Sequence, residues 1–392
     1  MKFPEITLSR PLHPVFTEMI SATEDAVRYQ VIGERFRDGG SISGVSNPVI
    51  HFAYDMAVRM RRYAAGAIAY NRARSALLLR QAPRSQLVYA CSHLVYGGYP
   101  WIGEYENVNA LAFYSPALLR NGRFAEHLRR LLGGPDCRAI RVYSPSAALS
   151  FRAIFQDEAV HRKLHVIHPT IKFPAEGREF PCRGGIPRIL FIGRGFWVKG
   201  GALFLQAVVK LRRAFEFRVD FISDLPSECD HYRTELEGTV NFYPVGFSRT
   251  ELYTRFYRAS DIFVMLGMAD SYGMVLVEAS AFGLPIVAMR LDSGVSDVLR
   301  LTGNAIQVEP DHQIFDSSGV HCVEPEELVR QIRTDASTGV VDRIVDALAA
   351  LISDRSLREE MGARGRAAVF DGPLSVHNMR QSMLDLYATV TG

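Results

Sequence analysis

The sequence predicts an α/β fold built from two doubly wound domains, and three observations carry that reading. Short apolar runs alternate regularly with helix-length segments after residue 180. The chain has 392 residues, whereas single hydrophobic cores stop growing beyond roughly 250–300 residues. Between 174 and 187 the chain carries Pro174, Gly177, Pro181, Gly184, Gly185 and Pro187, a density of backbone punctuation that marks a linker. The expected division is therefore 1–175, a linker at 176–185, and 186–370.

In the second half, the runs at 189–193, 219–223, 240–243, 262–266, 285–288 and 304–308 have strand length. Helical segments fall between them, and such alternation implies a parallel sheet covered on both faces. The first half is less regular. Apolar runs at 86–91, 101–105, 139–144 and 165–168 read as strands, and Leu8 to Pro14 reads Leu-Ser-Arg-Pro-Leu-His-Pro. A last helix, 374–392, presents Met379, Met383, Leu384, Leu386 and Tyr387 as its apolar residues.

Composition narrows the function classes. A net charge of +3 is too small to argue for nucleic acid. Five cysteines lie scattered without metal-type or paired spacing, which fits a reducing compartment. The start, Met-Lys-Phe-Pro-Glu-Ile-Thr, lacks a signal peptide's apolar run, and no stretch of about 18 apolar residues appears. A cytoplasmic location is the expectation.

Two segments carry the chemistry. From Asp270 the chain reads Asp-Ser-Tyr-Gly-Met-Val-Leu-Val-Glu, placing Asp270 and Glu278 around a turn and the start of a helix. Helix N-termini offer unpaired N–H groups and a partial positive charge to an anion, while carboxylates accept hydrogen bonds from vicinal hydroxyls. Phosphate beside polyol suggests a nucleotide sugar. Upstream, Arg188 to Leu211 reads as a strand, a glycine-containing loop and a helix, with Arg194 and Lys199 on the loop. Two cations there would stabilise charge on a departing diphosphate, a role otherwise filled by a metal.

Taken together, the two segments resemble the C-terminal half of retaining, nucleotide-sugar-dependent glycosyltransferases of family 4, with their GT-B architecture of two Rossmann-like domains facing a central cleft. The resemblance runs from about Arg188 to Pro310. It implies that Arg194 and Lys199 contact the diphosphate, Asp270 the transferred sugar and Glu278 the ribose. Gly193, Gly273, Met274 and Val275 would complete the nucleotide site, with base contacts from backbone around 245–247. Asp270 stands where the family usually has glutamate. The terminal helix has a family counterpart that crosses back onto the first domain. No cofactor or metal is implied beyond the donor substrate, and the acceptor would carry a hydroxyl.

In the first domain, Glu106 stands at the position of a family histidine that faces the donor sugar. The competing reading is an acidic surface loop made of Glu104, Glu106 and Asn107. His13 and Arg10 lie in the loop after the first strand, where a histidine is more often simply exposed. Arg59, Arg61, Arg62, Arg72, Arg74 and Arg80 invite a membrane-surface helix, but at 100° per residue they spread around the wheel. Peripheral membrane contact is therefore a subsidiary expectation. The rival functions are a catalytically silent sugar-nucleotide binder or scaffold subunit, and an isomerase or phosphorylase on the same architecture, although no pyridoxal phosphate motif stands out.

Overall fold

The computed structural model describes residues 3–9, 14–32, 60, 62–80, 82–84, 86–173, 185–334 and 338–391. The chain divides into two compact units. The first comprises Met1–Lys172, Asp316–Cys322 and Val376–Gly392, and the second Phe173–Phe315 and Val323–Ser375. Of the expected linker at 176–185, only Gly185 lies within the described residues.

In the first unit, β1 (Ile6–Ser9), β2 (Tyr29–Ile32), β3 (Val88–Cys91), β4 (Trp101–Tyr105), β5 (Cys137–Val142) and β6 (Leu164–Val166) form one sheet in the order β2-β1-β3-β4-β5-β6. All five pairings are parallel. The central strands β3 and β4 are buried on both faces, so they read as apolar runs rather than alternations. One face holds Trp101, Tyr105, Phe124 and Phe151, while the other packs Ile6, Leu8, Tyr89 and Ile102 against Met379, Met383, Leu386 and Tyr387 of the helix Val376–Thr391. That helix is tied down further where Tyr29 donates from its hydroxyl to the Tyr387 hydroxyl at 3.0 Å, and where Arg380 pairs with Asp25.

The second unit holds β7 (Arg188–Gly193), β8 (Arg218–Ser223), β9 (Val240–Tyr243), β10 (Ile262–Met265), β11 (Ile286–Met289) and β12 (Ala305–Val308), in the order β12-β11-β10-β7-β8-β9. Its pairings are all parallel as well. The first three strands wind one way from β7 and the last three wind the other. The order therefore reverses between β7 and β10, and in such sheets ligands bind at the carboxyl ends of the strands at that reversal. The helix Gly201–Leu211 follows β7 and buries Phe204, which stacks on Phe191 with centroids 5.1 Å apart.

Two expectations are corrected. The segment Asp316–Cys322 belongs to the first unit, although the sequence places it within 186–370. Local contacts explain this: the Asn109 amide donates to the Gly319 carbonyl at 3.0 Å and accepts from the His321 N–H at 2.8 Å. Val320 joins the first unit's core. The last helix begins at Val376, because the Leu374 N–H bonds back to the Ala368 carbonyl of the preceding helix and the Ser375 N–H closes a turn on Gly372.

Candidate functional site

The loop after β7 is shaped by close approach. A Cβ on Gly193 would lie 2.7 Å from the Lys199 Cβ, so only glycine lets the end of β7 pass beneath the lysine. The Asp224 carboxylate, just beyond β8, accepts from the Gly195 N–H at 2.8 Å and the Phe196 N–H at 3.1 Å. These loop N–H groups are thus already engaged by a carboxylate, which leaves the loop's side-chain cations to meet an anion. Arg194 is exposed, with no ion-pair partner among the described residues.

The loop after β10 brings the second carboxylate to the same place. Lys199 Nζ donates to Asp270 Oδ1 at 2.6 Å and Oδ2 at 2.8 Å, with the two side chains 31% and 20% exposed. Ser293, which caps the helix Gly294–Thr302, holds this loop by donating to the Asp270 carbonyl at 2.9 Å. Two residues expected to contact different parts of one ligand therefore contact each other, at the point where the strand order reverses.

Gly273 caps the helix Met274–Ala281 with a φ of 76°, a left-handed conformation that glycine adopts without a Cβ penalty. Gly273, Met274 and Val275 are half-buried, and their N–H groups have no hydrogen-bond acceptor among the described residues. They keep the anion-binding character of a helix N-terminus. The segment 245–247 follows β9 on the carboxyl edge of the same sheet.

Glu278 is 6% exposed and fully engaged by protein groups. Tyr253 donates to its Oε1 at 3.2 Å, Tyr257 to its Oε2 at 3.0 Å, and Arg249 Nε lies 3.2 Å from Oε1. Burial raises its pKa, and the Arg249 charge and the tyrosine hydroxyls only partly offset that rise. Sequence reading missed Arg249, Tyr253, Tyr257 and Asp224. Asp224 carried a signal, since it directly follows a predicted strand, but the Glu278 partners come from a separate helical segment with no motif.

The first unit bears on the alternative reading of Glu106 as part of a surface loop. The acidic-surface-loop alternative fails: Glu104 is fully buried in β4 and Asn107 is 3% exposed, capping the short helix Val108–Ala112. Glu104 pairs with Arg141 Nη1 at 3.0 Å, its register partner on β5, and accepts from Tyr143 at 2.6 Å and from Tyr89. Burial drives the phenols of Tyr89 and Tyr143 well above their ordinary range. Glu106 is half-buried just past β4, near enough to Tyr143 for its charge to add to that rise. His13, Arg10, Arg59 and Arg61 lie outside the described residues. In the helix Ala64–Leu79, Arg72 is exposed and Arg74 half-buried. Among the described residues no helix is long and apolar enough to cross a membrane.

Residues 186–321 match the family Glycosyl transferases group 1. This match contains β7 to β12 and every residue placed above around the strand reversal. The chain is 27% identical over 183 residues to the sulfoquinovosyl transferase of Arabidopsis thaliana, a match covering 46% of this chain but only 29% of that relative's length. Among solved structures, the sucrose-phosphate synthase of Thermosynechococcus elongatus aligns over 99% of this chain and 98% of its own, with a TM-score of 0.62 at 15% identity. The Anabaena protein HepE, solved with UDP and glucose, aligns over 98% of this chain and 99% of its own, with a TM-score of 0.59 at 12% identity. At such identities the likeness concerns the fold, and the fold is GT-B, with two parallel six-stranded sheets in two α/β domains.

Proposed function

We propose that the protein is a retaining glycosyltransferase of family 4 that moves a sugar from a nucleoside diphosphate sugar to a hydroxyl acceptor, in glycan, polysaccharide or glycolipid synthesis. The observation that carries this reading is the meeting of Lys199 and Asp270 at the strand reversal, beside the open N–H groups of Gly273 to Val275. An ammonium, a carboxylate and helix-terminal donors together match a molecule that is anionic at one end and hydroxylated at the other. The Anabaena protein binds UDP and glucose on the same fold, which supports the choice of donor.

In this reading Lys199, Arg194 and the helix-terminal N–H groups stabilise charge on the departing diphosphate, the strongest help that preorganised donors give to a reaction of this kind. Asp270 accepts from hydroxyls of the sugar. Before donor binds, Asp270 holds the Lys199 ammonium in position. When the diphosphate arrives, the ammonium exchanges part of this pairing for phosphate oxygens. A pair that stays partly open to solvent contributes on the order of 1 kcal/mol, so the exchange costs little. Glu278, already saturated by Arg249, Tyr253 and Tyr257, fixes the helix that presents Gly273 to Val275 and meets a ribose only if a tyrosine yields. The side-chain cations do the work of a metal, and no metal is required.

Calorimetric titration of the purified protein with UDP, GDP and ADP, without and then with magnesium, tests the proposal. Saturable binding of one nucleotide in the absence of metal is the expected result. Heat from none of the three removes the reading.

A further inference from the structure

The first unit contains a cavity of about 260 Å³ lined by Asn71, Arg74, Ser92, His93, Phe113 and Tyr114, among others. Ligand pockets for drug-sized molecules run from roughly 300 to 1,000 Å³, so this volume suits a single ring. It opens beyond the carboxyl end of β3, which Ser92 follows directly.

Two independent features mark it as more than a packing gap. Among the described residues, the non-glycine residues with positive φ are Ser92 at 55°, Phe113 at 54° and Tyr114 at 63°, and all three line this cavity. For bulky aromatic residues that conformation is an outlier, and such strain persists where the surroundings hold it for a purpose. Secondly, the helix Ala64–Leu79 turns Asn71 and Arg74, three positions apart and so on one face, toward the cavity. Asn71 is 4% exposed. Asn71 Nδ2 and Arg74 Nη2 are both buried and have no hydrogen-bond partner among the described residues. Buried donors in native proteins are almost always satisfied, so two orphaned donors on residues that line one cavity call for an explanation.

The lining also sets the chemistry. Among the described residues it includes a guanidinium, an amide, hydroxyls and an imidazole but no carboxylate, and its apolar part combines aromatic rings with Leu94, Ala110 and Leu111. We infer that the cavity binds one sugar ring bearing a carboxylate or phosphate, with the anionic group on Arg74 and Asn71 and the ring against Phe113 and Tyr114. We further infer that this ring belongs to the acceptor, a step that rests on the transferase reading above. Arg74 then acts as a specificity-determining residue.

The test is calorimetric titration with glucuronate, glucose 6-phosphate and glucose, with and without saturating UDP, on the wild type, on Arg74→Met and on the smaller change Arg74→Gln. At least one anionic sugar is expected to bind tenfold or more tighter than glucose. Either Arg74 variant should abolish that preference while leaving UDP affinity unchanged. Glucuronate binding alone names a carboxylate, and glucose 6-phosphate binding alone names a phosphate. Equal affinity for charged and neutral sugars overturns the anionic site. UDP binding with no sugar binding overturns the cavity inference and leaves the transferase reading standing. Sugar binding without any nucleotide binding keeps the site and removes its role for an acceptor.

Discussion

Each unit of this chain holds one prominent pair of opposite charges near the carboxyl ends of its strands, and the two pairs sit in opposite environments. Glu104 and Arg141 are register partners on β4 and β5 with both side chains 0% exposed, enclosed by Tyr89 and Tyr143. Lys199 and Asp270 come from two loops and remain 31% and 20% exposed. Removing charges from water costs several kcal/mol per ion, and mutual attraction plus further hydrogen bonds must offset that cost. The first pair is therefore committed to its own neighbours. The second remains solvated enough to change partners, which a site for a charged ligand requires.

The largest expected effect comes from breaking the enclosed pair. Arg141→Met leaves the Glu104 carboxylate buried without its cation and should lower the unfolding free energy by about 3–5 kcal/mol, read from urea denaturation. The double variant Glu104→Gln, Arg141→Met should recover much of that loss. If the double variant is as unstable as the single, the tyrosine hydroxyls rather than the ion pair carry the cost. The open pair should behave in the opposite way. Lys199→Ala should reduce kcat by about 10²–10³-fold while changing stability by less than about 1 kcal/mol. Arg194→Ala should lower turnover similarly, since its exposed side chain holds nothing else in place. Near-wild-type turnover in both variants would end the assigned role.

The smallest effect is one of pH. The Glu278 carboxyl titrates above its ordinary 4.5 in the folded protein because of burial. The folded state therefore holds that proton more firmly than the unfolded chain does. This contribution to stability is fully present below the unfolded pKa and is lost as pH rises through the folded one. Glu278→Gln lacks the titration, so its urea midpoint should gain on the wild type as pH rises from about 4 to 7. Parallel curves for the two proteins would mean that Arg249 fully compensates the burial.

Much of the second unit was legible in the sequence, because parallel strands buried on both faces write themselves as apolar runs. Gly193 ends such a run, and Lys199 and Asp270 follow such runs closely. The strand β2 was not found: all four of its residues are half-buried at the edge of the sheet, so Tyr-Gln-Val-Ile carries only a weak apolar signal. Within the run 101–105 nothing local reveals the partner of Glu104, and only register shows that Arg141 faces it. The capture of Asp316–Cys322 depends on Asn109, far away in sequence. The partners of Glu278 were hidden for the same reason, since tertiary contacts between distant segments leave no local pattern.

The helix Val376–Thr391 supplies Met379, Met383, Leu386 and Tyr387 to one face of the first sheet. During synthesis, the ribosome completes β6 and then makes the whole second unit before that helix emerges. At about 5–20 residues per second the interval is on the order of ten to forty seconds. Through that time the nascent first domain leaves the apolar surface of Ile6, Leu8 and Tyr89 without this cover, a window in which chaperones would be the natural attendants of the growing chain.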